Sequence, residues 1–295
     1  MALLSITQNK RPSDQQIDAA LGMVIKEAPI VIMLHGFKYD PDDNAHDPQK
    51  QIFALNPTQG AKRPASWPRR LRLQDNKGLA IGFGWHARGT IWQAHRQAIR
   101  ASHDLAQLIS RLKAKDANRK IHIVAHSLGA RVAAQALQSL APDTIGQIIL
   151  IAAALFEQEL TAGLHCAAGQ RAEFINVRSR ANTAFDLMLR AAFPHWGRTV
   201  GSGRINAANL LDVVIDSRHT SDVLQGLGFG SDTARAPICH WSGYLRQDAC
   251  NLYQSLLHQP EKTPLRYLQS LLRQPDREST PKLRDTLSFL PRMPF

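Results

Sequence analysis

Five short apolar runs constrain this chain more than any other feature. They are Pro29–Leu34, Leu79–Trp85, Lys120–Ala125, Gly146–Ala154 and Glu173–Arg178. Each is rich in Ile, Val, Leu or Ala, and the strongest show no apolar–polar alternation. Continuous apolar strands are what a parallel sheet covered on both faces requires. Helical spacing fills the intervals. Thr90–Lys115 carries Ile91, Ala94, Ala98, Leu105, Leu108, Ile109 and Leu112 on one face, and Ala130–Leu140 repeats apolar residues at three and four. Strands alternating with helices predict right-handed βαβ units in an α/β, doubly wound, mostly parallel sheet.

The pattern breaks in two places. Residues 38–77 are polar, hold five prolines and suggest no regular element besides Gln51–Leu55. A loop this long is usually functional or disordered. After residue 259 prolines return, with seven basic and four acidic residues. The chain therefore divides into a domain over 1–259, with an irregular insertion at 38–77, and a basic Pro-rich tail over 260–295. One helix is expected near Pro264–Arg273.

Composition excludes some classes. Three cysteines without a CxxC do not make a disulfide framework or a zinc ribbon. The most apolar stretch, Ile148–Phe156, is far short of the roughly 20 residues that span a bilayer. The N-terminus lacks a signal-peptide pattern. These features predict a cytoplasmic protein with no membrane span. The net charge of +12 raises nucleic acid or an anionic surface as partners. The basic residues are spread along the chain, with the densest cluster at Lys62–Arg72, so nucleic acid is not expected, and contact with an anionic surface stays open.

Lys120–Ala130 reads KIHIVAHSLGA. A buried strand runs through a sharp turn into a helix, the context in which Ser127 becomes an exposed nucleophile. Small residues must flank the turn, and Ala125 and Gly129 meet that need. Upstream, IVIMLHGF ends a strand in His35-Gly36. The amides of Leu128 and Phe37 are the candidate oxyanion donors. The general base should follow the last strand. His240 in ICHWSGYLR fits, with His219 in IDSRHTSD as the rival. The orienting acid should follow Phe174–Arg178, in INVRSRANTAFDLMLR. Asp186 is the first carboxylate there, and Asp216 or Asn182 are alternatives. The order Ser, Asp, His along the chain is that of the nucleophile-elbow hydrolases.

These blocks resemble a bacterial branch of the α/β-hydrolase superfamily. The resemblance rests on LHGFKYDP (34–41), SWPRRL (66–71), GFGWHARGTIW (82–92), HSLGARV (126–132), NVRSRANTAFD (176–186) and CHWSGYLR (239–246). It covers about residues 29–258. It implies His240 over His219 as base. It also implies an acid near Thr183 that this chain lacks, leaving Asp186 as the carried-over candidate. The expected activity is hydrolysis of an ester, thioester or related acyl bond on a small-molecule substrate, with no metal and no organic cofactor. His35, Gly36, Tyr39, Trp85 and His126 are the expected substrate-binding residues, although Trp85 and Trp92 equally fit a core. The alternative is an inactive hydrolase scaffold that binds a ligand or partner, a reading motivated by the missing acid.

Overall fold

The computed structural model describes residues 2–57, 65–74, 76–232 and 238–272. Seven strands form one parallel sheet: β1 (Leu3–Thr7), β2 (Ile30–Leu34), β3 (Leu79–Gly84), β4 (Ile121–His126), β5 (Gln147–Ile151), β6 (Glu173–Arg178) and β7 (Leu210–Val214). Their order is β1-β3-β2-β4-β5-β6-β7. The helices are α1 (Asp14–Gly22), α2 (Trp67–Arg70), α3 (Ile91–Lys115), α4 (Gly129–Leu137), α5 (Glu157–His165), α6 (Thr183–Ala192), α7 (Arg218–Gly226), α8 (Ser242–Leu245), α9 (Gln247–His258) and α10 (Leu265–Leu272). The five expected strands are all present. β1, an edge strand pairing only with β3, carries too little apolar sequence to stand out from its polar flank.

Strand residues alternate between two cores, as the pleat demands. Ile30, Ile32 and Leu34 face a layer that includes α1, α3, α4 and α5. Val31 and Met33 face the other. α3 starts on Thr90, whose side chain accepts from the Gln93 amide while Gln93 answers the Thr90 amide. This reciprocal cap fixes where the chain leaves the sheet edge and turns back across it.

The second face is covered by α7, α9, α10 and the segment after β2. Ile52, Phe53, Ala65, Trp67, Leu71 and Leu73 are all buried there. The polar-looking insertion is thus a face cover, with scattered large apolar residues doing the work of a helix. Gln51–Leu55 forms turns, not a regular element. The expected tail helix exists as α10, but it belongs to this core. Leu265, Leu268 and Leu272 are buried, and Gln269 donates to the carbonyls of Ala208 and Leu210 beside β7. Residues 273–295, and residues 62–64 of the basic cluster, lie outside the described residues.

Three buried histidines couple this fold to acid. Burial pushes His35, His95 and His122 down to about 3. The unfolded chain protonates imidazole near pH 6.5. Between about pH 3 and 6.5 the unfolded state therefore binds more protons than the folded one. Their stabilisation is fully present above pH 6.5 and falls as the pH drops. His122→Gln should flatten the slope of unfolding free energy against pH by roughly 1.4 kcal/mol per unit between pH 4 and 6. Urea titrations at several pH values check this. Parallel lines for wild type and variant would contradict it.

Candidate active site

The loops after β2 and β4 meet at the carboxyl edge of the sheet, because those strands are neighbours. Connections diverge to opposite sides of β2 here, the position where open parallel sheets bind ligands. Ser127 sits between β4 and α4 with φ of +54°. This left-handed conformation costs a non-glycine residue roughly 1–3 kcal/mol. The surroundings hold it there. Its amide donates to the Ile151 carbonyl at 2.9 Å, and its carbonyl accepts from Ala130 and Ala154. Gly129 makes the turn sterically feasible, since a Cβ there would lie 2.6 Å from the His35 carbonyl oxygen.

Gly36 packs directly on Ser127. A Cβ at 36 would lie 2.6 Å from the Ser127 Cβ. Phe37 follows this contact directly in the chain, and Leu128, next after Ser127, is the N-cap of α4. The loop is braced from beneath. His35 Nε2 accepts the Trp85 amide at 3.0 Å, and Trp85 Nε1 donates to the His35 carbonyl at 3.0 Å. Their rings stack with centroids 5.4 Å apart. Beyond Phe37, Lys38 donates to the Ala87 carbonyl and Ala87 donates to that of Tyr39.

His240 reaches the same edge between α7 and α8. Its ring stacks on Phe185 with centroids 4.5 Å apart and lies 4.6 Å from His126, the residue before the serine. His126 Nε2 donates to the His240 carbonyl at 2.9 Å. His240 Nδ1 donates to Asn182 Oδ1 at 2.5 Å. Asn182 Nδ2 donates in turn to Asp186 Oδ2 at 3.2 Å. Asp186 is therefore one amide further from the histidine than expected, and Asn182, one of the expected alternatives, bonds His240 directly. Burial pushes the Asp186 carboxyl up to about 6, against the lowering hydrogen bonds from Asn182 and Thr199.

The rivals have other partners. His219 Nε2 bonds the Leu271 carbonyl on α10. Asp216 accepts from Ser179 Oγ and from the amides of Arg180 and Ala181. It anchors the turn that carries Asn182, and the Cys239 amide ties the histidine loop to the Ala181 carbonyl. The expected substrate-binding residues differ in exposure. His35, Gly36, Trp85 and His126 are buried, and Trp85 belongs to the core. His35 and Trp85 brace each other through two hydrogen bonds, and His126 holds the His240 carbonyl. Tyr39 is half-buried beside His35. Trp92 is half exposed, contrary to a core placement. Sequence reasoning did not single out Phe185; only its spacing from Asn182, three positions along a helix, signals it.

Asp40, Asp42 and His86 bring ligating atoms within 4.8 Å of one another on the neighbouring loops. These charges already have partners. His86 Nδ1 lies 3.0 Å from Asp40, and Lys10 lies 3.2 Å from Asp42.

A parallel sheet in this strand order, with a strained serine elbow after its central strand, defines the α/β-hydrolase fold. The chain belongs to the family described as alpha/beta hydrolase of unknown function (DUF900), whose model matches residues 14–161. No curated protein matches the sequence. Among solved structures, Trichoderma reesei cutinase in complex with a C11Y4 phosphonate inhibitor is 14% identical, with a TM-score of 0.38. That alignment covers 83% of this chain and 86% of the cutinase. Pyrococcus horikoshii acylaminoacyl peptidase (orthorhombic crystal form) is 10% identical, with a TM-score of 0.39. It aligns over 80% of this chain and 37% of its own. Among the described residues, no helix is long and apolar enough to cross a membrane.

Proposed function

We propose that the protein is a serine hydrolase that cleaves an ester, thioester or related acyl bond through an acyl-enzyme. The observation that carries this reading is the Ser127 elbow with Gly36 packed against it, beside a histidine oriented through Nδ1. His240 holds its proton on Nδ1, so Nε2 carries the lone pair that takes the Ser127 proton. Ser127 Oγ attacks the acyl carbon, and the resulting oxyanion accepts from the Leu128 and Phe37 amides. His240 returns the proton to the leaving group. A water deprotonated by the same nitrogen then releases the acid and restores the serine. The chain of hydrogen bonds from His240 through Asn182 to the Asp186 carboxyl supports this reading over that of an inactive scaffold.

A fluorophosphonate probe tests the proposal directly. The expected result is a single modified peptide containing Ser127. A folded protein that does not react would overturn it. Gly36→Ala gives a sharper structural check. The added methyl must push the Phe37 amide away from Ser127, so kcat should fall on the order of 100-fold with little change in KM. Measured kinetics equal to wild type would remove Phe37 from the oxyanion hole.

A further inference from the structure

Among the described residues six large apolar side chains are exposed, and three of them share one face. Trp92 and Ile99 are 50% and 39% exposed on α3, and Met188 is 38% exposed on α6. Positions 92, 96, 99, 100 and 103 form one stripe of a helix with 3.6 residues per turn. α6 joins this stripe because Trp92 Nε1 donates to the Ala192 carbonyl at 2.9 Å. Met188 precedes Ala192 by one helical turn, on the same side.

The charges on this face are of one sign. Arg96, Arg100 and Arg190 are exposed and form no ion pair among the described residues. The far half of α3 behaves differently. There Arg111 pairs with Asp14 and Lys115 with Asp18. The single acid in α3, Asp104, accepts the Asn9 amide. On α3 the two arginines without an ion pair, Arg96 and Arg100, thus lie among the exposed apolar residues, whereas in the far half Arg111 and Lys115 are paired and Lys113 donates to the carbonyls of Ala117 and Arg119.

We infer that this face docks onto an anionic lipid surface. Trp92, with its N–H bonded and its ring outward, suits the headgroup level of a membrane. Ile99 and Met188 would enter the acyl boundary, and the three arginines would pair with lipid phosphates. Apolar residues separated by arginines make a flat mixed surface, which fits a lipid interface better than a peptide needing a continuous apolar groove. α6 also carries Phe185 against His240 and begins at Asn182. Docking would therefore hold the catalytic edge near lipid-borne acyl groups. This inference goes beyond the hydrolase reading and does not depend on it.

Co-sedimentation of the full chain with vesicles provides the test. Vesicles of phosphatidylcholine alone and of phosphatidylcholine with phosphatidylglycerol are compared at low and high salt. Binding is expected only with phosphatidylglycerol and at low salt. Arg96→Gln with Arg100→Gln should weaken partitioning about 30-fold, near fivefold per charge removed. Trp92→Ser with Met188→Ser should weaken it while leaving the salt dependence. Ser127→Ala should bind as wild type, which separates this result from failure of the hydrolase reading. Equal binding to both vesicle types, or wild-type binding by the arginine variant, overturns the inference. So does loss of binding only in Lys282→Gln with Arg284→Gln, which would place the contact in the tail. Binding to soluble polyglutamate that competes fully and ignores Trp92→Ser would show charge alone and overturn it as well.

Discussion

Ser127→Ala should abolish fluorophosphonate labelling and lower kcat on an accepted acyl ester by about 10⁴–10⁶-fold. The same loss is expected for His240→Ala, and the double variant should be no worse than either. Nucleophile and base act as one unit, so removing one leaves the other nothing to do. The residual rate would come from the oxyanion amides and substrate placement. The fold should survive both changes. In Ser127→Ala the turn is still held by the Ile151 carbonyl and by Ala130 and Ala154. Thermal melting beside the kinetics checks this. A Ser127→Ala protein that is folded and hydrolyses the ester at the wild-type rate would end the serine mechanism.

Asp186→Ala should cost about 10³-fold in kcat, although no direct bond joins it to His240 in the chain Ser127–His240–Asn182–Asp186. The reason lies in the two ends of an amide. Asn182 can orient His240 correctly only when Oδ1 faces Nδ1. If Nδ2 faced the imidazole instead, Nδ1 would accept, and the proton would sit on Nε2 where the lone pair is needed. That wrong tautomer is worth about 10⁴ in kcat when an Asn replaces the acid of a serine-protease triad. An ionised Asp186 only accepts, so it holds Nδ2 and sets the amide the right way round. A protonated Asp186 can donate, and the constraint weakens.

This gives a pH signature. With its carboxyl raised to about 6, Asp186 is ionised above that pH and protonated below it. Wild-type kcat should therefore fall as the pH drops through about 6, more steeply than a single histidine would produce. The exchanged pair, Asn182→Asp with Asp186→Asn, places the carboxylate directly on His240. It should retain activity within about tenfold of wild type and lose the extra steepness. Asn182→Asp alone puts two carboxylates within hydrogen-bond distance, where they cannot both ionise readily. Its pH profile should shift upward. If Asp186→Ala keeps the wild-type rate and profile, Asp186 has no part in orienting Asn182.

Much of this arrangement was legible in the chain. Five strands, both principal crossover helices and the serine turn follow from apolar runs and spacing, because a parallel sheet buried on both faces leaves an unambiguous imprint. The segment after β2 was harder. Phe53, Trp67 and Leu73 are far apart in sequence and obey no period. Nothing local announces that they converge over Val31 and Met33. α10 was expected as a helix, but the prolines and charges around it gave no sign that its three leucines pack on the core beside β7.

What the sequence determined by itself was the identity of the elements and the local chemistry of the elbow. A small residue on each side of Ser127, a strand before it and a helix after it leave the turn few conformations. What only the tertiary structure decided was which distant groups meet. His240 finds Asn182, not Asp186, because Asp216, just past the end of β7, pins residues 179–181 and thereby sets the position of the next residue. Trp85 goes inward beneath the loop after β2 and Trp92 outward because one directly follows β3 and the other lies in the first turn of α3 on its exposed side. Spacing along a chain fixes neighbours within a turn or two. Orientation across a sheet edge depends on loops whose hydrogen bonds come from residues tens of positions away.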